Sequence, residues 1–178
     1  NVIPAFKGYK GFPATMCTSV NEEIVHGIPS QRVLKEGDII SLDLGVNYEG
    51  YFSDIAVTLT VGQVDSRTKK LVEVTQKALS LGIKQVRIDK HLSNISYAIQ
   101  NYVEKHGFTV VRQFVGHGIG KNLHEEPEIP NFGRPHQGPL LKKGMVLAIE
   151  PMVNMGTWES EVLDNGWTAV TKDGMPSA

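Results

Sequence analysis

A pattern of ten residues occurs twice in this chain, and it constrains the fold more than any other feature. Leu34–Asp43 reads Leu-Lys-Glu-Gly-Asp-Ile-Ile-Ser-Leu-Asp, and Leu141–Glu150 reads Leu-Lys-Lys-Gly-Met-Val-Leu-Ala-Ile-Glu. Each copy predicts a turn at its glycine and then an apolar strand that ends on an acid. A turn followed by an apolar strand is common and can recur by chance, but we favour a duplicated α/β unit. Asp43 and Glu150 would then hold equivalent places and serve one shared centre.

The composition predicts a packed domain that does not depend on charge to find its partners. Of the 178 residues, 40% are apolar and 21% are charged, and the formal net charge is −1. This balance argues against nucleic acid or an anionic membrane as the main partner. Cys17 is the single cysteine, which rules out an internal disulfide and a cysteine-based zinc site. No stretch approaches the ~20 apolar residues of a membrane span, so we expect one domain in the cytoplasm.

Two acids are predicted to meet across a β-hairpin. The segments 38–46 and 51–61 alternate apolar and polar residues, and Asn47–Gly50 lies between them as a turn. If Asn47 and Gly50 flank a two-residue turn, Asp43 lies directly opposite Asp54. The two side chains would then share one face, with Cβ atoms ~4.5–5.5 Å apart.

Opposed carboxylates in mid-strand destabilise a sheet unless they share a proton or bind a cation. Glu150 is flanked by apolar residues, where an isolated charge is costly. The Gly-rich loop that follows residue 115 supplies His117 and His124. These further ligands favour the cation, and carboxylates with imidazole suit Mn²⁺, Fe²⁺, Co²⁺ or Zn²⁺. Each acid alone is more simply explained as an exposed strand residue or as part of a salt bridge.

The remaining pattern predicts a mixture of helices and strands, and therefore an α+β fold. The first thirty residues are rich in turn signals. The predicted elements are a helix over 66–87 with Ser66 as N-cap, a helix over about 93–106 with Ser93 as cap and Gly107 as stop, a strand over 108–115, a loop over about 116–139, a strand from Met145 to Asn154, and an irregular tail.

Several other motifs are absent or incomplete. His124-Glu125-Glu126 begins like a zinc-binding helix, but Pro127 ends it. The glycines around His117 fit neither the Walker spacing nor the Gly-x-Gly-x-x-Gly spacing of phosphate-binding loops. We expect them to let the backbone pass close beside a site. Cys17 has no basic partner nearby in the sequence, so we expect a small packing residue rather than a nucleophile.

Taken together, the motifs resemble type I methionine aminopeptidases over nearly the whole chain. The matching segments, in order, are Asn21-Glu22-Glu23-x-x-His26-Gly27-Ile28-Pro29, Ser41-Leu42-Asp43, Ser53-Asp54, Gly116-His117-Gly118-Ile119-Gly120, His124-Glu125-Glu126-Pro127 and Ile149-Glu150-Pro151-Met152. The resemblance implies the pita-bread fold, a pseudo-twofold α+β architecture that agrees with the repeat. It also implies removal of the initiator methionine from nascent polypeptides when the second residue is small.

The resemblance assigns metal and substrate residues in this sequence. It implies two divalent ions, with Asp43, Asp54, His117 and Glu150 as ligands and Asp54 as the bridge. The two ions would lower the pKa of a bound water and polarise the scissile carbonyl. The matching catalytic residues are His26, His124 and Glu150, and the matching substrate-binding residues are His26, His124, Tyr9, Phe12, Cys17 and Trp167. Leu123 stands where bacterial relatives often carry an aromatic residue.

The sequence departs from the family pattern at both ends. The family has a fifth ligand, a bridging Glu, on a strand that would begin after Ala178, and a helical segment before Asn1. We therefore expect residues 1–178 to form one catalytic-type domain that is incomplete at the N-terminus and lacks the last strand. Without the fifth ligand, metal binding should be weaker.

Two alternative functions remain open. An Xaa-Pro peptidase of the same fold would share the metal ligands but prefer proline peptides. A pita-bread binding module without catalysis belongs to a different class, although such modules usually lose ligand residues. For the aminopeptidase we expect a monomer whose partner is the N-terminus of a nascent polypeptide.

Overall fold

The computed structural model of the chain describes residues 2–178, which form two α-helices, a 3₁₀ helix at Tyr9–Gly11 and twelve strands. The α-helices are α1 (Ser66–Ile83) and α2 (Ser93–Lys105). The strands are β1 (Val2–Pro4), β2 (Cys17–Val20), β3 (Glu23–Val25), β4 (Ile39–Tyr48), β5 (Tyr51–Thr60), β6 (Thr109–Val110), β7 (Gly116–Gly118), β8 (Glu125–Ile129), β9 (Leu147–Ala148), β10 (Val153–Asn154), β11 (Ser160–Val162) and β12 (Ala169–Thr171). The predicted α+β class is confirmed.

Two antiparallel sheets position the predicted site. In the first, β5 pairs with β4 along its whole length, and β1 and β2 pair with separate parts of the other edge of β4. In the second, β7 lies between β8 and β9. Two smaller sheets join β11, β12 and β3, and β10 with β6. The first sheet carries the acids of the hairpin, and the second carries the Gly-His-Gly segment.

The two copies of the repeated pattern form the same backbone turn. Gly37 and Gly144 both adopt left-handed conformations, with φ of 96° and 92°. The amide that follows each glycine donates to the carbonyl oxygen of a lysine, Lys35 in the first copy and Lys142 in the second, at 3.1 and 3.3 Å. The repeat is therefore present in the backbone as well as in the sequence.

The prediction that Asp43 lies directly opposite Asp54 is wrong. The hairpin turns at Glu49 and Gly50, whose φ values of 52° and 85° are typical of the two-residue turn that matches strand twist. Asp54 therefore pairs with Gly45, and the predicted register is shifted by two residues. A shift of two residues preserves the faces. The acids are diagonal neighbours on one face.

Gly45 leaves space for an aromatic ring beside Asp54. A Cβ atom at Gly45 would overlap the ring of Phe6, which is buried. The residue opposite the acid in the hairpin therefore has no side chain, and Phe6 occupies that volume instead.

The first helix begins one residue earlier than its predicted cap implies. Asp65, not Ser66, is the N-cap, and its Oδ1 accepts the amides of Arg67 and Thr68. A carboxylate is a strong cap and satisfies amides that have no partner within the helix. The helix ends at Ile83, four residues before the predicted end.

The second helix begins at Ser93, which is its first residue rather than its cap. The Ser93 hydroxyl accepts the amide of Gln137 at 2.7 Å, which ties the helix to the following loop. The helix ends at Lys105, and Gly107 follows with φ of 81°, as the stop signal predicts. Both helices pack on the main apolar core, against which Leu147 and Ile149 also lie.

The predicted strands of the second half are shorter than expected. Of the predicted strand 108–115, only β6 forms, and β7 and β8 lie in the predicted loop over 116–139. The predicted strand over 145–154 is split into β9 and β10, with Glu150 and Pro151 between them. Pro151 has no amide hydrogen to give to a ladder. The predicted irregular tail contains β11 and β12, and the loop-rich start contains β1 to β3.

The outer face of the hairpin is apolar and exposed. Leu44, Ile55, Val57 and Leu59 are 37–70% exposed. The acids lie on the opposite face, as the alternation predicts. Within residues 2–178, neither helix has the length and apolar content to cross a bilayer.

Candidate metal centre and adjoining cleft

Two glycines set the position of His117 at the centre of the second sheet. A Cβ atom at Gly116 would overlap the carbonyl oxygen of Ala148 in β9, and one at Gly118 would overlap that of Glu126 in β8. Glycine therefore lets β7 lie close to both neighbours, as the sequence predicted. His117 between them is 6% exposed, so its ring has a fixed direction.

The ring of His117 presents one nitrogen to two acids. Its Nδ1 lies 2.8 Å from the carbonyl oxygen of Gly118, which can only accept, so Nδ1 donates there. The other nitrogen, Nε2, lies 3.9 Å from Asp54 Oδ2 and 3.7 Å from Glu150 Oε1. A histidine held by a carbonyl oxygen on one nitrogen is the usual arrangement of a metal ligand.

Asp54, His117 and Glu150 can hold one metal ion together. Each offers a ligand atom, and these atoms all lie within 4.8 Å of one another. Asp43 lies outside this group of three, although its carboxyl is within hydrogen-bonding reach of the Asp54 carboxyl. The acids of the two repeated copies therefore converge on one place.

Two buried oxygens in the site lack partners. Asp43 Oδ1 and Asp54 Oδ1 are buried, and no group within residues 2–178 hydrogen-bonds them. Buried polar atoms without partners are costly and uncommon in folded proteins. A divalent cation would satisfy both oxygens, and mixed carboxylate and imidazole donors suit Mn²⁺, Fe²⁺, Co²⁺ or Zn²⁺. The residues present therefore fit such an ion.

Without a bound cation, the three buried carboxyl groups of the site disfavour one another's negative charge. Burial, more than the neighbouring charge of Asp54, raises the pKa of Asp43. Burial also raises the pKa of Asp54. Burial and then the charge of Asp54 raise the pKa of Glu150 to about 8. Without a cation, burial therefore favours the protonated form of each acid, and a bound cation would balance their charge instead.

A buried asparagine holds the backbone of Glu150. Asn131 is 1% exposed, and its Nδ2 donates to the main-chain oxygen of Glu150 at 2.8 Å. Sequence reasoning missed Asn131, because the contact joins residues on separate segments and no spacing rule predicts it. The bond fixes the segment that carries Glu150 into the site.

We expect Asn131→Ala to weaken divalent metal affinity by about tenfold or more, the usual effect of losing a group that orients a ligand. The measurement is competition with a chelating dye for Mn²⁺ or Zn²⁺. Asn154→Ala is the matched control, because Asn154 is also buried and its Nδ2 also donates to a main-chain oxygen, that of Thr157 at 2.8 Å. Equal metal affinity in the two variants would contradict this role for Asn131.

An apolar slot adjoins the acids. Phe6, Phe12, Cys17, Ile119 and Leu123 are buried together there, with Tyr9 and Trp167 packed against them. The rings of Phe12 and Trp167 meet edge to face at 5.1 Å between centroids. Burial, and then the charges of Asp43 and Asp54, raise the pKa of the Cys17 thiol, which keeps it protonated. These contacts favour packing over nucleophilic chemistry for Cys17.

Two further histidines border the slot. The ring centroids of His124 and His117 lie 4.2 Å apart. Nδ1 of His124 lies 2.8 Å from the Tyr9 hydroxyl oxygen. Burial, then the charges of His117, Lys10 and His26, lower the pKa of His124 to about 4. Burial also lowers the pKa of His26, whose φ of 60° turns it toward the cleft beside Trp167. Neutral rings are therefore expected at both positions at pH 7.

All ten site residues proposed from the sequence line one cleft, which has a volume of about 220 Å³ and opens to solvent. They are Tyr9, Phe12, Cys17, His26, Asp43, Asp54, His117, His124, Glu150 and Trp167. The cleft also contains Phe6, Lys10 and Val25, which sequence reasoning did not select. Their apolar or basic side chains carry no motif, and only the fold brings them to the acids.

Known proteins resemble this chain over nearly its full length. The profile of metallopeptidase family M24 matches residues 5–173. Methionine aminopeptidase 1 of Bacillus subtilis is 55% identical over 176 residues, which are 99% of this chain and 71% of that protein. The crystal structure of methionine aminopeptidase from Thermotoga maritima superposes with a TM-score of 0.98 at 52% identity, over 99% of this chain and 72% of that one. The likeness confirms the predicted pita-bread fold.

A prolidase shows a weaker likeness. The prolidase from Pyrococcus furiosus superposes with a TM-score of 0.69 at 25% identity, over 78% of this chain and 41% of that one. The match is weaker than the likeness to the Thermotoga maritima structure in identity, coverage and TM-score.

Proposed function

Because the chain belongs to metallopeptidase family M24, we propose that it is an aminopeptidase that removes an N-terminal methionine from polypeptides whose second residue is small. The observation that carries this proposal is the apolar slot beside the acids. Cys17 in the slot lies directly opposite Asp43 in the β2–β4 pair. A side chain held in the slot would therefore place the adjoining peptide bond at the acids.

The shape and chemistry of the slot suit methionine. Its walls are aromatic and aliphatic, and Phe12 and Trp167 meet at its side. An unbranched thioether fits a narrow apolar site and makes favourable contacts with aromatic rings. A residue with a charged side chain would lose hydration there with no partner in return.

Two divalent ions of the Mn, Fe, Co or Zn class are proposed as cofactors. Asp54, His117 and Glu150 would hold one ion, and Asp43 with Asp54 would hold the other, so that Asp54 bridges them. When bound, such ions supply a water of lowered pKa and polarise a carbonyl oxygen. The two partnerless oxygens of Asp43 and Asp54 support this assignment.

The protein residues would act on the substrate as follows. His124 would donate a hydrogen bond to the scissile carbonyl oxygen and stabilise its developing charge. Glu150 would accept a proton from the attacking water and pass it to the leaving amine, in addition to binding metal. His26, which borders the slot beside Trp167, would hydrogen-bond the substrate backbone or relay a proton.

We propose that the substrate is the N-terminus of a nascent polypeptide and that the protein acts as a monomer in the cytoplasm. The cleft opens to solvent, and buried apolar residues form part of its lining. This shape accepts a chain terminus with its first side chain inward.

The test is peptide hydrolysis by the metal-loaded protein. We expect Met-Ala-Ser to be cleaved with a kcat/KM at least about tenfold above that of Leu-Ala-Ser, since a shape mismatch in an apolar pocket costs about 1–3 kcal/mol. Release of free amino acid is measured by chromatography. Equal rates for the two peptides would contradict methionine selectivity.

The likeness to a prolidase makes an Xaa-Pro peptidase the second candidate. Side-by-side kinetics separate the two, because an Xaa-Pro enzyme would cleave Ala-Pro faster than Met-Ala-Ser. Failure to cleave either peptide with metal bound would favour the non-catalytic binding module.

A further inference from the structure

The rings of His117 and His124 are adjacent, and the Nδ1 atoms of the two rings have different hydrogen-bond partners. Nδ1 of His117 lies 2.8 Å from the carbonyl oxygen of Gly118, and Nδ1 of His124 lies 2.8 Å from the hydroxyl of Tyr9. A carbonyl oxygen can only accept a hydrogen bond, whereas a phenol can also donate one. The two rings, 4.2 Å apart, can therefore adopt opposite tautomers.

A neutral imidazole carries one proton, so the partner on Nδ1 decides what Nε2 can do. His117 must place its proton on Nδ1 to bond Gly118, which leaves the Nε2 lone pair facing the acids. If Tyr9 donates to Nδ1 of His124, the proton of that ring lies on Nε2. The first ring can then bind a cation and the second can donate a hydrogen bond.

The backbone around Tyr9 holds its hydroxyl in place. Tyr9 lies in a tight turn between Gly8 and Gly11, whose φ values are 85° and 90°. The Tyr9 amide donates to the carbonyl oxygen of Phe6 at 2.9 Å. Lys10 Nζ lies 5.5 Å from the centroid of the Tyr9 ring. These contacts hold the Tyr9 hydroxyl beside Nδ1 of His124.

The segment that carries His124 is also held. Glu125 Oε1 accepts the amide of Asn122 at 2.8 Å, which closes the loop around His124. The amide of Phe52 in β5 donates to the carbonyl oxygen of Gly120 at 2.7 Å, which ties the loop to the hairpin. The hydrogen bond between Tyr9 and His124 therefore joins two constrained segments.

We propose that Tyr9 is a positioning residue that selects the tautomer of His124 with its proton on Nε2. The inference rests on the proposed function, in which Nε2–H of His124 donates to the substrate carbonyl oxygen. Without the Tyr9 hydroxyl, the ring can move its proton to Nδ1. Its Nε2 would then present a lone pair to that oxygen and could not stabilise it.

Nitrogen NMR of the zinc-loaded wild-type protein tests the tautomer directly. With ¹⁵N-labelled histidine, and with the His124 signals identified by their loss in His124→Gln, we expect a pyrrole-type shift at Nε2 and a pyridine-type shift at Nδ1. The reverse assignment would overturn the inference. This result depends on neither activity nor a Tyr9 variant, so it holds whether or not the proposed function is correct.

Tyr9→Phe tests the consequence for catalysis, because it removes only the hydroxyl. We expect kcat for Met-Ala-Ser to fall about tenfold, the loss of one hydrogen-bonding effect, with KM changed less than about twofold. The His124 signals should shift toward a mixture of tautomers. Tyr51→Phe is the matched control, because Tyr51 is 60% exposed on the hairpin and should leave both readouts unchanged.

The outcomes separate the two proposals. An unchanged kcat and unchanged His124 shifts in Tyr9→Phe would overturn the role of Tyr9 while the proposed function stands. A wild-type protein that binds zinc, shows the expected tautomer and releases no methionine would contradict the proposed function alone.

Discussion

Replacing Asp54 with asparagine is expected to lower kcat/KM for Met-Ala-Ser by about a thousandfold or more. Asp54 belongs, with His117 and Glu150, to the group of three residues that can hold a metal ion, and it also adjoins Asp43. Asparagine keeps the volume but removes the charge that would bridge two cations. A bound ion contributes several kcal/mol of transition-state stabilisation. Since each tenfold in rate corresponds to about 1.4 kcal/mol, its loss predicts an effect of this size.

The control for this substitution is Glu128→Gln, which removes a carboxylate that is exposed and outside the cleft. Glu128→Gln should retain wild-type kinetics. Removal of the ions from the wild-type protein with a chelator should reproduce the loss seen in Asp54→Asn, and re-addition of Mn²⁺ or Co²⁺ should restore activity to the wild type only. Activity of Asp54→Asn within tenfold of wild type would contradict the assignment of Asp54.

The metal-free protein is expected to lose stability as the pH rises from 6.5 to 8. The raised pKa values of Asp43 and Glu150, the latter about 8, mean that the folded state holds protons that the unfolded chain releases. The free energy of unfolding then falls by about 1.4 kcal/mol per pH unit for each such proton. Over this window the loss is on the order of 2–4 kcal/mol, or roughly 5–10 °C in Tm.

The window begins at pH 6.5 because, at lower pH, two histidines make the free energy of unfolding rise with pH, opposite to the effect of the acids. The lowered pKa values of His26 and His124 mean that the folded state opposes protonation of these rings. Their contribution to stability increases as the pH rises toward the ordinary histidine value of 6.5. Between pH 6.5 and about 7.5 the unfolded chain still releases these protons, which offsets part of the loss caused by the acids. Above that range both states hold neutral rings, and the acids determine the slope.

Thermal unfolding with chelator present, at pH 6.5, 7.25 and 8, measures this slope. Glu150→Gln should reduce it, Glu128→Gln should leave it unchanged, and added Zn²⁺ should reverse it, because an ion binds better as its ligands lose protons. A metal-free wild-type protein whose Tm is constant or rises across this window would contradict the buried cluster of acids.

Local sequence patterns were sufficient to select the residues that the fold brings together as candidate ligands. Acids at poor strand positions, glycines around His117 and the repeat that equates Asp43 with Glu150 each have a local physical cause. The faces of the hairpin were also predictable, since they depend only on alternation. The register was not, because positive φ at Glu49 and the glycine that follows decided which residues form the turn.

Contacts between distant segments explain what sequence reasoning missed. Asn131 reaches Glu150 from another segment, and Tyr9 reaches His124 across the cleft. Neither contact leaves a periodic signal in the sequence. The short strands of the tail were missed for the same reason, because β12 gains its order by pairing with β3 near the start of the chain and with β11.

Metal uptake by the purified protein tests the central claim most directly. Elemental analysis after dialysis against Mn²⁺, Co²⁺ or Zn²⁺, together with calorimetric titration, should give at least one tightly held ion per wild-type chain. Uptake should fall sharply in Asp54→Asn and in His117→Ala, and it should remain at the wild-type level in Glu128→Gln. Wild-type protein that holds no ion, or ligand variants that hold as much as wild type, would show that these side chains do not form a metal centre.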